Sequence, residues 1–144
     1  MNSRITGTIA IDLGNSNTVC AFQSENETSS TLIDIPGITI SEGIIPTMLW
    51  SQGVGSKPLI GLEAMKLRNH EDSDKYFHSN FKRLIGNPIE RSPGKILSPK
   101  ESGEQFIKTL WQNIPDNLKI KRLVLTAPID TYRGYRKWLI DVCS

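Results

Sequence analysis

Asp12 stands at the mouth of a short polar turn, Leu13-Gly14-Asn15-Ser16-Asn17-Thr18, and these are the residues whose types and spacing could do chemistry. Gly14 leaves the backbone open to close approach, Asn15, Ser16 and Asn17 carry side-chain donors, and successive turn N–H groups can form an anion-binding concavity. Such a turn can hold a phosphate. A carboxylate placed as Asp12 is can hold a hydrated Mg²⁺, which keeps several waters and bridges to nucleotide phosphates. The same residues also suit an ordinary hairpin whose Asp and Asn side chains bond their own backbone.

The flanking elements must position that turn. Ile9 and Ile11 alternate with small or polar neighbours before it and Val19 and Ala21 do so after it. The pattern predicts a β-hairpin, with Gly14-Asn15 supplying the positive φ that tight hairpin turns use. Thr31 to Ile35 is expected as a third strand beside the second. Pro36-Gly37 breaks this meander, and Ile45 to Trp50 reads as a further β-rich run whose Pro46 suits an edge or a strand start. Gly53 and Gly55 turn the chain into Pro58 to Gly61, and helical character begins at Leu62.

Asp72-Ser73-Asp74 can cap a helix from Lys75 to about Leu84, stopped by Gly86, with Lys82 in its last turn. Taken alone, Lys82-Arg83 is a solvated basic pair favoured there by the helix dipole. Ser98-Pro99-Lys100-Glu101 combines an N-cap, Pro at the first helical position and Glu at the third. The helix that follows sets Phe106, Ile107, Leu110, Trp111 and Ile114 on one apolar face, expected to be core. Leu123-Val124-Leu125 has the composition of a buried parallel strand. After it, Asp130 or Thr131 caps a last helix bearing Tyr135, Trp138, Leu139 and Val142.

Composition narrows the classes. The chain has 144 residues, enough for one domain with its own core, and its 38% hydrophobic and 22% charged fractions are ordinary for a globular protein. No apolar run approaches the ~20 residues of a membrane span, and Met1 to Arg4 leads into a strand instead of a secretory leader, so neither membrane nor export is expected and the cytoplasm is the default. A net charge of +2 spread over both halves does not point to nucleic acid. Cys20 and Cys143 lack metal or redox spacing and read as reduced packing thiols.

Ala10-Ile11-Asp12-Leu13-Gly14-Asn15-Ser16-Asn17-Thr18 resembles the first phosphate-binding hairpin of the actin-like ATPases, specifically of the DnaK-type (seventy-kilodalton heat-shock) chaperones. Four further blocks repeat the resemblance in order: Ile45-Pro46-Thr47, Leu59 to Ala64, Phe81-Lys82-Arg83-Leu84-Ile85-Gly86, and Leu123-Val124-Leu125-Thr126-Ala127-Pro128. The resemblance implies an α/β, ribonuclease-H-like first lobe of an actin-like ATPase domain, with its core at residues 1–35 and 93–144 and a small inserted subdomain at about 36–92. It further implies that the sequence is the N-terminal part of a longer protein.

In function, the resemblance implies an ATP-binding chaperone, with ATP/ADP and Mg as its nucleotide and metal, whose hydrolysis gates binding of unfolded polypeptides and which works with J-domain and nucleotide-exchange co-chaperones. Gly14, Asn15, Ser16 and Asn17 would bind phosphate, Asp12 would hold Mg through water, and Lys82 would be the catalytic residue at the γ-phosphate or attacking water. Pro128 and Arg136 match the relay from nucleotide to substrate-binding domain. The acids that complete the site and the adenosine pocket would lie beyond Ser144, so the 144 residues alone are expected not to turn over. Asn15 replaces the hydroxyl residue of the resembling motif, which implies slow hydrolysis. Asp130-Thr131-Tyr132-Arg133 and Ile140 also depart from it, where interdomain coupling and J-domain docking would be set. Two other classes share the hairpin: sugar- or acetate-kinase-like phosphotransferases, which lack the Lys82 to Gly86 block, and non-hydrolysing actin-like scaffolds, which Asn15 would suit.

Overall fold

A computed structural model of the chain describes residues 4–53, 55–82, 85, 94–126 and 133–143, with backbone alone for Arg133 to Arg136. The chain is α/β, with a mixed sheet, a smaller antiparallel sheet and few helices. Strand β1 (Ile5–Leu13) buries Ile9, Ile11 and Leu13 while its alternate side chains face outward, the period-two pattern of a half-covered strand. It pairs antiparallel with β2 (Asn17–Ser24), Leu13 opposite Thr18, so residues 14–17 form the connecting loop. Strand β3 (Thr31–Leu32) continues the meander on β2 and stops short of the expected Ile35, because Pro36-Gly37 begins a turn whose Ile38 and Thr39 N–H groups bond the Ile35 carbonyl.

The run from Ile45 to Trp50 does not form one strand. Strand β4 (Ile44–Pro46) lies on β2, whereas β5 (Met48–Trp50) belongs to the second sheet. Thr47 is the switch: its N–H donates to Ser16 O at 3.0 Å and its buried hydroxyl meets that of Thr18 at 2.8 Å, so its polar groups are used under the hairpin loop instead of in a ladder. Strand β6 (Leu59–Ile60) pairs with β5, and Gly61, at φ 64, turns into α1 (Leu62–Met65). A Cβ at Gly61 would lie 2.3 Å from Ile38 O, so glycine is required there on two counts.

The helix expected from Lys75 to Leu84 is not formed. Helix α2 (Ser73–Tyr76) makes barely one turn, and the chain then extends as β7 (Phe77–Ser79). The edge of β5 offers Phe77, His78 and Ser79 a full antiparallel register opposite Trp50, Leu49 and Met48, burying His78. Lys95 braces this junction, donating from Nζ to Ser73 O at 3.1 Å and to Phe77 O at 2.6 Å. Asp72 precedes α2 but makes no side-chain cap bond.

Helix α3 (Pro99–Gln112) starts as expected, with Ser98 Oγ accepting from Glu101 N at 3.1 Å and Ser98 N donating back to Glu101 Oε1 at 2.9 Å. Phe106, Ile107 and Leu110 join the core with Ile9, Ile11 and Cys20, but Trp111 is 46% exposed and the expected apolar face is core over only part of its width. Strand β8 (Leu118–Leu125) runs parallel to β1 as expected, yet it is not buried. It ends the order β3-β2-β1-β8, and Val124, opposite Ala10 on the face turned away from the buried Ile9 and Ile11, is 41% exposed. Helix α4 (Arg133–Cys143) returns over α3, where Trp138 and Leu139 are buried and Gly103 admits the Trp138 ring. No helix among the described residues is long and apolar enough to cross a membrane.

Candidate functional site

The alternation that makes β1 a strand ends with Leu13 in the core and puts Asp12, one residue earlier, on the outer face. Asp12 is therefore exposed at the C-terminal end of β1, beside the loop. The neighbouring strand supplies its partner: Thr126, just past β8, donates its hydroxyl to Asp12 Oδ1 at 2.6 Å, and its N–H donates to Ile11 O at 3.3 Å. Parallel pairing of Ile11 with Leu125 brings together these two residues, 114 positions apart. Thr126 lies in one of the blocks that carried the resemblance, but nothing in its local sequence marks it as an acid's partner.

The loop itself differs from the expected turn. Neither Gly14 nor Asn15 has positive φ. Gly14 is needed for another reason, since a Cβ there would sit 2.2 Å from Asn17 O; the close approach it permits is to the loop's own backbone. The N–H groups of Asn15 and Ser16 donate to no backbone carbonyl among the described residues. Adjacent unengaged amides at an exposed strand end can accept an anionic oxygen. Ser16 and Asn17 are exposed, with Ser16 O held by Thr47 N–H.

Asn15 makes a longer connection: its Nδ2 donates to Asn80 Oδ1 at 3.0 Å, while its Oδ1 is buried without a hydrogen-bond partner among the described residues. Asn80 follows β7 and is, among the described residues, the single non-glycine with positive φ, at 56°. Lys82 lies two residues on, half-buried, and its carbonyl accepts from Ile85 N–H at 3.2 Å. It thus opens a turn instead of closing a helix, and a dipole at a helix C-terminus does not account for it. The structure brings Asp12, the loop 14–17 and the Lys82 segment to one end of the sheet. Pro128 lies outside the described residues, as do Arg83, Leu84 and Gly86. Arg136 is placed by its backbone, in the first turn of α4.

A hydrated Mg²⁺ uses one or two carboxylates. Asp12 offers one, with Oδ1 engaged by Thr126 and Oδ2 without a hydrogen bond among the described residues, which fits attachment through water and not a full protein cage. The cluster of three ligand-type side chains among the described residues, His70, Glu71 and Asp72, does not include Asp12. There His70 Nδ1 already accepts from Asp72 N–H at 3.1 Å, and its ring packs edge-on against Trp50.

The remaining reactive groups are passive. Burial pushes the Cys20 thiol up to about 12 and raises that of Cys143, so neither is a nucleophile near neutrality; both are free thiols. Burial, reinforced by nearby Lys95 and opposed by Glu101, lowers His78 to about 4, which keeps it neutral. A groove of about 480 Å³ runs between α3, β8 and the end of α4, lined by Ile107, Trp111, Leu123 and Val142 among others, and it includes neither Asp12 nor the loop.

Comparison with protein-family models gives no match, and comparison with curated proteins gives none either.

Proposed function

We propose that the chain is the first, ribonuclease-H-like lobe of an actin-like ATPase domain, the N-terminal part of a DnaK-like chaperone whose ATP hydrolysis gates binding of unfolded polypeptides. The observation that carries this reading is the convergence, at one end of β1, of an exposed carboxylate, two unengaged loop amides and the segment bearing Lys82. Supporting it is the sheet order β3-β2-β1-β8, an antiparallel meander followed by a strand parallel to β1.

In this reading the amides of Asn15 and Ser16, with the Ser16 hydroxyl and the Asn17 amide, hold the β- and γ-phosphate oxygens of ATP. Asp12, steadied by Thr126, would hold a hydrated Mg²⁺, which would supply neutralisation of charge on the phosphates. Lys82 faces the developing charge of the transferred phosphoryl group and orients the attacking water, which is positioning and electrostatic work with no covalent step on the protein. Hydrolysis then needs acids from a second lobe. ADP, client polypeptides and J-domain or exchange partners belong to the full-length protein on the same reading.

Half of a site binds weakly. Mg·ATP at a dissociation constant of about 1 mM corresponds to about −4 kcal/mol, enough for a few phosphate contacts. The test is amide NMR of the 144-residue chain titrated with Mg·ATP: Asn15, Ser16 and Asn17 should shift together with Lys82, and Asp12→Ala should remove the Mg dependence. No saturable hydrolysis is expected. Shifts confined to other regions, or Mg-dependent turnover by this chain that Lys82→Ala abolishes, would refute the assignment. One observation favours the non-hydrolysing scaffold as a second reading: the Asn15 amide, which replaces a hydroxyl, is already engaged with Asn80.

A further inference from the structure

Strand β7 ends at Ser79, and the next residue carries two unusual features at once. Asn80 adopts φ 56, a left-handed conformation that asparagine tolerates better than most side chains. That turn sends Phe81 into the core, 3% exposed and 6.0 Å from the Phe106 ring, while the Asn80 side chain stays outside and reaches the β1–β2 loop. Its Oδ1 accepts from Asn15 Nδ2 across a sequence separation of 65 residues. Lys82 follows Phe81 directly, so its starting point is set by a ring buried in the core and, one residue earlier, by this hydrogen bond.

Asn15 is held as firmly from its own side. The loop is pinned by Thr47 N–H on Ser16 O and by the Thr18–Thr47 hydroxyl pair, and the Asn15 Oδ1 is buried with no donor among the described residues. A buried acceptor left unmatched is unfavourable and persists only where the surroundings dictate the orientation of the group. Here that orientation aims the amide N–H₂ at Asn80.

We infer that Asn80 is a positioning residue: through its hydrogen bond to Asn15 and its left-handed backbone, it docks the Lys82 segment against the phosphate loop and sets the distance between them. This rests on the proposed nucleotide reading for its purpose, although the docking itself is a property of the ligand-free chain. The Asn15 side chain thus ties two parts of the site together, while its backbone N–H is the group that the proposed reading assigns to phosphate.

The experiment separates the two. In the ligand-free 144-residue chain, exchange of the Ile85 amide, which donates to Lys82 O, reports release of the segment. Asn80→Gly keeps the backbone conformation and removes the side chain; Asn15→Ala removes the donor. Each should speed Ile85 exchange by about 3- to 10-fold, the range for one net hydrogen bond, and the double variant should add nothing further. Asn80→Asp, which keeps the acceptor, should remain near the parent rate, and amides of β1 and α3 should not change. With Mg·ATP, Asn80→Gly should retain the shifts of Asn15 and Ser16 and lose that of Lys82. Multiplying effects in the double variant, or unchanged Ile85 exchange in both single variants, would overturn the inference whatever ATP does. Coupled exchange without any response to Mg·ATP would leave the docking in place and refute the nucleotide reading.

Discussion

Replacing His78 by Phe should remove the part of this fold's acid sensitivity that one buried imidazole carries. His78 is 4% exposed on β7, opposite Leu49, and its Nε2 is buried with no hydrogen-bond partner among the described residues. Burial first, and the Lys95 ammonium second, disfavour the charged ring, while Glu101 opposes them weakly; the outcome is a folded-state value of about 4 against 6.5 in the unfolded chain. Between those values the unfolded imidazole holds a proton that the folded one lacks, so folding stability is complete above about pH 6.5 and is lost as pH falls towards about 4. The whole window is worth about 3 kcal/mol, of which about 2 kcal/mol is lost between about pH 7.5 and about pH 5. Urea unfolding followed by tryptophan fluorescence at these two pH values measures it, with the midpoint shift converted through the slope. The parent should lose about 2 kcal/mol more than His78→Phe, because the two proteins differ in this imidazole alone. At the higher pH the variant should be at least as stable, since Phe fills similar space and removes an unmatched nitrogen. Equal acid losses in the two proteins, or an NMR midpoint for His78 above about pH 6, would refute the assignment of a desolvated, neutral imidazole.

Gly103→Ala should destabilise the chain by about 1–3 kcal/mol in the same assay, because the added Cβ would meet Trp138 Cζ2 at 2.7 Å and Ile85 Cδ1 at 2.8 Å and must part α3 from α4. Ser98→Ala should cost about 1 kcal/mol and fray the first turn of α3, visible as faster exchange of the Glu101 amide; a neutral result would mean that Pro99 and packing alone start the helix. Thr126→Val should change global stability by less than about 1 kcal/mol, since the Asp12 pair is exposed. It should nevertheless weaken the Mg-dependent part of ATP-induced NMR shifts, and a large loss of stability with those shifts intact would make Thr126 a purely structural partner.

What the sequence determined by itself is what short-range chemistry decides. The Ser98–Glu101 cap is complete within four residues, and the alternation around Asp12 puts Ile11 and Leu13 on one face of the strand and the carboxylate on the other. The hairpin and the α3 start were legible for that reason, whereas β8 was legible as a strand but lacks the burial its composition implied. Segment 75–84 was not, because Tyr76, Phe77, Phe81 and Leu84 fall near helical spacing while Phe77 to Ser79 also fit a strand. Only the free edge of β5, more than twenty residues earlier in the chain, decides between them. Trp111 and Val124 have the right residue type for a core, but exposure depends on which surfaces are covered, and periodicity carries no information about that. The site divides in the same way. The identities of Asp12, Asn15 and Lys82 and the polar character of the loop are local, whereas Thr126 on Asp12 and Asn80 on Asn15 join residues 114 and 65 positions apart, and only strand pairing and the packing of Phe81 bring them within hydrogen-bond reach.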